Sequence, residues 1–290
     1  MKPLVLWSSS QDPYLNAAHE EWLYTNVAPK EPVYFLWQNR ESVCIGRYQN
    51  PWSELNMKSI EESHIPIVRR ISGGGTVFHD LGNLNISYMH PGSEYDKKIR
   101  MLPVINHLKT FGDISLSERG DGLLQIDEKY YKFSGSAFKN RHTSSLHHFT
   151  LLMNSDLNRL WQFLKRNKSD SFQGRSMPST RMEVKNLNIS NAKEWAYDWA
   201  TQHGFGWQEL ISEQLNQTYV PKFSSSDWNL AETPDFNFHD RQNQHFLTIQ
   251  KGKIIGEDGQ NFSHEVDCHF SMVSALRNQI LGDYSFDDLF

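Results

Sequence analysis

The sequence predicts an α+β fold: a mixed, mostly antiparallel β-sheet with flanking helices over residues 1–217, followed by a small α+β unit over residues 227–290. Three observations carry that reading. Strand-length runs of β-branched and aromatic residues, such as Val-Tyr-Phe-Leu-Trp at 33–37, are bounded by polar turns. Helix-period stretches with recognisable start and stop residues alternate with them. With 290 residues, 38% hydrophobic and 13% aromatic, the chain is long enough for one large domain and one small one, and no low-complexity tract interrupts it.

Residues 4–7 read as a first strand ahead of a polar turn. Asp12-Pro13 is a helix start, a capping carboxylate followed by proline in the first turn, and Leu15, Ala18 and Trp22 then share one face. Residues 33–37 and 42–45 read as paired strands. Asn50-Pro51 opens a helix expected to run to about Ser63, with Leu55, Met57 and Ile60 inward. Strands are expected at 65–68, 76–79 and 84–89. A helix from about Ile99 carries Ile105, Leu108 and Phe111, and three short strands follow around Ile114, Leu123 and Tyr131. A strand at 147–152 leads into a helix at 157–164 and a polar loop at 165–180, long enough to read as a lid. Ser190 or Asn191 caps a helix that Gly204 stops. Residues 218–226 are the expected linker, and the terminal unit holds strands at 246–249 and 253–255 and a helix at 271–280.

Between the strands at 65–68 and 76–79 runs Arg69-Arg70-Ile71-Ser72-Gly73-Gly74-Gly75-Thr76-Val77-Phe78-His79-Asp80. Three consecutive glycines let another molecule approach the backbone, because without Cβ atoms they accept positive φ and can turn N–H groups toward an anion. Two arginines stand before them, and a plain hairpin turn with basic flanks is the competing reading. The spacing matches neither a Gly-Lys-Ser/Thr phosphate loop nor the dinucleotide fingerprint. Downstream, Tyr130-Tyr131-Lys132-Phe133-Ser134-Gly135-Ser136 puts a lysine in a strand-like run that ends in small residues, and His147-His148-Phe149-Thr150-Leu151-Leu152 follows. A strand lysine is ordinarily a solvated surface charge. The small residues after this one leave room for a ligand.

Together with Asn50-Pro51-Trp52 and the string from Arg69 to Asn83, these segments resemble the lipoate-protein ligases and their lipoyltransferase relatives. The resemblance runs from about Gln11 to Asn186, with weaker echoes at Asp227-Trp228 and Thr233-Pro234-Asp235-Phe236. It implies a catalytic domain of the biotin/lipoate ligase type, ATP and Mg2+ as cofactors, and lipoate as substrate. It implies lipoyl-domain proteins as partners, namely E2 subunits of 2-oxoacid dehydrogenase complexes and the glycine cleavage H protein. By the same resemblance Arg70 contacts ATP, and Gly75, Thr76, Val77 and Phe78 bind the nucleotide. Asn83 and Asp121 fall near the nucleotide, and Lys132 touches both nucleotide and lipoate. No residue is assigned to a metal site of the protein's own. His79 and His147 lie at motif positions and read equally as structural histidines. Trp37 and Trp52 read as tunnel walls or as core. The chain departs from the family at Ile71, where a third arginine is usual, at Phe149, where glycine is usual, and at Gly120, where asparagine is usual.

The chemistry asked of such a ligase matches this residue set. A carboxylate attacks the α-phosphorus of ATP, giving an acyl-adenylate and pyrophosphate; a target lysine amine then attacks the acyl carbonyl while AMP leaves. Backbone N–H donors, an arginine and a lysine lower the anionic repulsion where charge develops. No side-chain nucleophile is needed, and Cys44, inside a strand run, reads as a small buried hydrophobe. Cys44 and Cys268 are the only cysteines, far apart and without metal spacing, which fits a reducing compartment. A net charge of −5 argues against generic nucleic-acid binding, and no apolar run is long enough to span a membrane. The N-terminus lacks signal-peptide and transit-peptide features, giving a cytoplasmic reading, or a mitochondrial one if a presequence has been removed. The sequence favours an ATP-dependent lipoate ligase. A lipoyltransferase lacking adenylation and a non-catalytic binder of lipoylated proteins are the alternatives.

Overall fold

The computed structural model describes residues 2–93, 97–164, 172–240, 245–257 and 260–267. Its largest layer is a six-stranded sheet built from β1 (Leu4–Ser8), β2 (Val33–Trp37), β6 (Asn83–Pro91), β10 (Ser136–Asn140), β11 (Ser144–Leu152) and β13 (Gly206–Leu210), in the order β10-β11-β6-β2-β1-β13. The β2, β1 and β13 strands run parallel and the other pairs antiparallel, so the sheet is mixed, as the sequence predicts. Helix α1 (Pro13–Asn26) crosses one face, its start fixed by Asp12, whose Oδ1 accepts from the N–H groups of Tyr14 at 2.8 Å and Leu15 at 3.1 Å. Helices α4 (Lys97–Leu108) and α6 (Ala192–Gln202) cover the other face. Asn191 caps α6 by accepting from Glu194 N–H at 3.1 Å, and Gly204 follows it at φ +63.

Three smaller sheets complete the chain. Strand β3 (Ser42–Ile45) sits between β4 (Ile67–Arg69), parallel to it, and β5 (Val77–His79), antiparallel. Strands β7 (Asp113–Leu116), β8 (Gly122–Ile126) and β9 (Lys129–Ser134) form a meander. A five-stranded antiparallel sheet takes β12 (Phe172–Gly174), β14 (Phe236–Asp240), β15 (His245–Gln250), β16 (Lys253–Glu257) and β17 (Gln260–Asp267). This last sheet is not an isolated appendage. Its Phe236, Phe238, Leu247 and Ile249 share one apolar cluster with Trp52, Phe78 and Leu152 and with Leu160 and Phe163 of α5 (Leu157–Phe163).

Several expectations change. The runs at 33–37 and 42–45 do not pair with each other: β2 enters the large sheet and β3 the small one. The turn residue between them explains the split, because Asn39 accepts from Asn16 Nδ2 of α1 at 2.9 Å and lies 3.2 Å from His79 Nδ1 of β5. The helix expected at 50–63 is two, α2 (Pro51–Glu54) and α3 (Met57–Glu62), because Leu55 is extended and Asn56 caps a new start by accepting from Ser59 N–H at 3.3 Å. The stretch at 218–226, expected as a linker, contains α7 (Val220–Phe223), whose Phe223 is buried against α1 and whose Lys222 pairs with Glu21 at 2.7 Å. The helix expected at 271–280 and Cys268 lie outside the described residues.

Candidate active site

The glycine loop is not a hairpin. It leaves β4 on one side of β3 and enters β5 on the other, so it arches over the end of β3. The crossing is tight: a Cβ on Gly46 would stand 2.2 Å from the Gly74 carbonyl oxygen, and Gly74 itself has φ +88. Arg70 builds the arch from beneath. Its Nη2 donates to the carbonyls of Gly73 at 2.7 Å and Gly75 at 2.6 Å, its Nε to Ser72 Oγ at 3.1 Å, and its Nη1 to the Cys44 carbonyl at 3.2 Å. With its carbonyls drawn onto the guanidinium, the loop retains the N–H groups of Gly73, Gly74 and Gly75, for which the described residues provide no acceptor. Backbone donors left open in this way can receive an anion.

Behind Ser72 stands a buried polar chain that the sequence reading missed. His148 Nε2 lies 2.6 Å from Ser72 Oγ, and its Nδ1 lies 2.8 Å from Glu20 Oε1 of α1. Ser87 donates to the same Glu20 oxygen. Burial pushes the Glu20 carboxyl up, but the facing His148 and the two hydrogen bonds outweigh it and hold the group below its ordinary value. A Glu–His pair 128 residues apart, on α1 and β11 and in no shared motif, gives no sequence signal; only the fold brings it under the loop.

The loop and Lys132 face one cavity of about 560 Å3. Lys132 extends from β9 to within 2.8 Å of Asp121 Oδ1, both side chains about a fifth exposed at 21% and 22%. Room for the ammonium comes from Gly135, where a Cβ would stand 3.3 Å from Lys132 Nζ. Apolar walls come from Ala17, Trp37, Val68 and Leu152. So Trp37 lines the cavity, while Trp52 is core, packed 5.6 Å from Phe236 between ring centres.

A strap at 177–182 crosses the mouth. Ser179 Oγ accepts from Thr76 N–H at 2.9 Å and from Gln49 Nε2 at 3.0 Å, and Met177 N–H donates to the Tyr48 carbonyl at 3.1 Å. Glu54 accepts from Ser179 N–H at 3.3 Å. The strap continues into residues that bond to both sides of the Lys132 peptide, Glu183 O accepting at 2.8 Å and Lys185 N–H donating at 3.1 Å. Part of the loop expected as a lid at 165–180 is therefore this strap, and 165–171 lie outside the described residues.

The other sequence-predicted residues divide cleanly. Gly75 and Thr76 lie beneath Ser179, and Thr76 Oγ1 also donates to Gln49 Oε1 at 2.9 Å. Val77 is half-buried in β5, whereas the Phe78 ring packs into the second core, 5.5 Å from Phe163. Asn83 is fully buried at the cavity wall; its Nδ2 donates to Asn85 Oδ1 at 3.2 Å and its Oδ1 has no partner among the described residues. His79 is buried beside Trp37, and burial, then Arg70 and His148, pull its pKa down to about 3, so it is neutral and structural. His147 is stacked on Phe138 at 4.2 Å on the opposite face of β11 from His148. Phe149 shares that opposite face and packs with Tyr88, Phe133 and Leu151 in the core under α4 and α6, although its edge reaches the cavity lining. Burial pushes the Cys44 thiol up, which keeps it protonated.

Arg69, adjacent to Arg70, does something different. It is fully buried and donates to the carbonyls of Gly46, Gln49, Trp228 and Asn229 and to Thr233 Oγ1, with distances from 2.6 to 3.2 Å. The echoes at 227–236 thus belong to an anchor that ties the turn Asp227–Ala231 to the loop base. Burial and then Arg47 lower the Arg69 pKa to about 9.

Residues 12–203 match the family model of the lipoyl protein ligase A/B catalytic domain. The chain belongs to that family. A lipoate-protein ligase A of Bdellovibrio bacteriovorus is 41% identical over 184 residues, covering 63% of this chain and 54% of the relative. One of Psychrobacter cryohalolentis is 35% identical over 260 residues, covering 82% of this chain and 75% of that one. So this ligase-family chain spans about half the length of the first of these relatives. Among solved structures, the Plasmodium falciparum LipL1 complex with lipoate is 26% identical with a TM-score of 0.65, over 88% of this chain and 83% of that one. A lipoate-protein ligase A bound with ATP matches at 22% identity and a TM-score of 0.63, over 79% of this chain and 98% of that one, which supports the fold.

Proposed function

We propose that this chain activates lipoate with ATP and transfers the lipoyl group to a lysine of lipoyl-domain proteins. The observation that carries this is one cavity holding three kinds of group together: the open backbone donors of Gly73, Gly74 and Gly75, the Lys132–Asp121 pair, and an apolar stretch. These donors and Lys132 offer positive potential to phosphate and carboxylate at once, and the apolar walls suit a fatty acyl chain. In the first step a lipoate carboxylate oxygen bonds to the α-phosphorus of ATP and the bond to the β-phosphate oxygen breaks, releasing pyrophosphate. Lys132 lowers the repulsion between those anions. In the second step the neutral amine of the acceptor lysine bonds to the acyl carbon, the carbon–oxygen bond to AMP breaks, and the amine gives up a proton. The relatives' names, lipoate-protein ligase A, and the lipoate-bound and ATP-bound structures point the same way.

The described residues contain no cluster of three or more His, Cys, Asp or Glu arranged for a metal. Mg2+ is proposed as an ion carried by the phosphates of ATP, where it would supply charge neutralisation. E2 lipoyl domains and the H protein are the acceptors proposed. An archaeal ligase from Thermoplasma acidophilum, similar in fold at a TM-score of 0.66, was studied with its E2 lipoyl domain. Residues 1–217 are read as the catalytic part and 227–290 as an accessory part. No helix among the described residues is long and apolar enough to cross a membrane, and a cytoplasmic location is proposed.

Lipoate-dependent exchange of labelled pyrophosphate into ATP tests the reading. Exchange marks a ligase. Its absence, with transfer from added lipoyl-AMP intact, marks a transferase lacking adenylation, and absence of both marks a binder.

A further inference from the structure

We propose that a band of cations beside the cavity mouth is the docking surface for the acceptor, and that it recognises an acidic face of that protein; the inference rests on the ligase reading above. The band joins four residues from separate parts of the chain. Arg47 is tied to the glycine loop, its N–H donating to the Ser72 carbonyl at 2.8 Å, and its guanidinium lies 4.6 Å from the centre of the Trp228 ring. Lys222 Nζ sits 3.9 Å from the same ring. Lys222 bonds to Glu21 of α1, and one turn further along α1 Arg141 lies 5.0 Å from the Tyr24 ring and donates to Thr25 Oγ1 at 3.4 Å. Lys139 comes from β10, on the same face of the strand as Ala137, which a Cβ on Gly74 would meet at 2.9 Å.

The balance of charge within the band is uneven. Its carboxylates, Glu21 and Glu232, are already paired with Lys222 and Arg47. Lys139 and Arg141 have no ion-pair partner among the described residues, so the band is positive on a chain whose net charge is −5. The half-buried Lys139 ammonium is held below its usual pKa first by burial and then by Arg141, against an opposing pull from Glu21, with Lys222 and Arg47 adding to the lowering, which places all four cations within electrostatic reach. Gathering like charges costs folding energy, and the ion pairs to Glu21 and Glu232 leave Lys139 and Arg141 unneutralised. A partner of opposite charge recovers that cost.

The partner is a protein. Small anionic substrates are met inside the cavity by the loop and Lys132, whereas the band runs outward along β10, the outermost strand of the large sheet, to the exposed Arg141 in the turn beyond it. From Ser136 to Arg141 this is roughly 17 Å of strand, a length on the scale of a protein footprint and not of a nucleotide. Tyr48, 58% exposed and lining the mouth, adds an aromatic of the kind enriched in interfaces. An acceptor lysine can reach the acyl-adenylate only if the surface around that lysine covers this mouth.

The test uses full-length protein, an E2 lipoyl domain as acceptor, and two variants, Arg141→Glu and Lys139→Glu/Arg141→Glu. The KM for the acceptor should rise several-fold in the single variant and about tenfold in the double. The kcat and the rate of lipoyl-AMP formation should stay within about twofold. Wild-type acceptor KM should rise with salt, and the double variant should lose most of that dependence. The exposed Arg141→Glu keeps the test decisive if the double variant folds poorly. An unchanged acceptor KM, or a parallel fall in lipoyl-AMP formation that assigns the cations to the nucleotide, would overturn the inference while leaving the ligase reading intact. Wild-type protein that modifies no acceptor overturns both.

Discussion

Replacing Lys132 with alanine removes the one lysine ammonium that lines the cavity among the described residues and leaves its partner in place. Losing a positioned donor to a developing anionic centre costs about 3–4 kcal/mol. Asp121, 2.8 Å from the missing Nζ, then faces the lipoate carboxylate and the phosphates uncompensated. Two like charges about 4 Å apart repel by about 4 kcal/mol at an effective dielectric constant near 20. Asp121 is about a fifth exposed, and solvent screening brings that to about 1–2 kcal/mol. The single change should slow lipoyl-AMP formation by about 10³-fold to 10⁴-fold. Lys132→Ala/Asp121→Ala should recover about tenfold by removing the repulsion. A partly exposed pair contributes at most about 1 kcal/mol to folding, so Tm should move by no more than about 4 °C. Lys132→Arg should also be poor, since a planar fork does not replace a point charge in the space that Gly135 leaves. Single-turnover lipoyl-AMP formation, with circular dichroism as the folding check, reads all four proteins. A folded Lys132→Ala enzyme with near wild-type adenylation, or a double variant slower than the single, would refute the assignment.

Other outcomes follow from the packing and the buried groups. Cys44→Ser should retain most transfer activity, because the thiol is buried, protonated and outside the chemistry; loss of transfer in a folded variant would indicate a thioester route. Phe149→Gly should lower stability by about 3–5 kcal/mol in a denaturant titration, since it empties part of the core under α4 and α6. An unchanged transition with a wider acyl range would mean the ring is a wall of the cavity. His79 and His19, held down to about 3 and about 4 chiefly by burial, bind protons more weakly folded than unfolded. Their contribution is complete above pH 6.5 and is lost as pH falls from there toward those values, by about 4 kcal/mol at pH 5 for the two together. Denaturant midpoints that do not fall between pH 7 and pH 5 would contradict that burial.

What the sequence made legible is what local rules encode. Asp12 and Asn191 cap their helices as read, the strand runs form strands, and Lys132 reaches a ligand-sized space because Ser134 and Gly135 follow it. The glycines do free backbone donors. Long-range partners were not legible. Residues 33–37 and 42–45 look like a hairpin because they are adjacent, and only the Asn39 bonds to α1 and β5 separate them. Arg69 and Arg70 are alike as letters, yet one anchors the turn at 227–231 and the other draws in the loop carbonyls. Arg70 was expected to touch ATP directly, and its donors are largely engaged by the loop that would do so. Ser179, more than a hundred residues from Thr76, carried no motif at all.

The central claim is that one chain performs both half-reactions, and intact-mass measurement of an acceptor lipoyl domain tests it most directly. Incubated with the protein, lipoate, ATP and Mg2+, the domain should gain a single lipoyl amide on one lysine, and omitting ATP should abolish the gain. No gain with ATP and lipoate, while synthetic lipoyl-AMP is still transferred, would contradict the account.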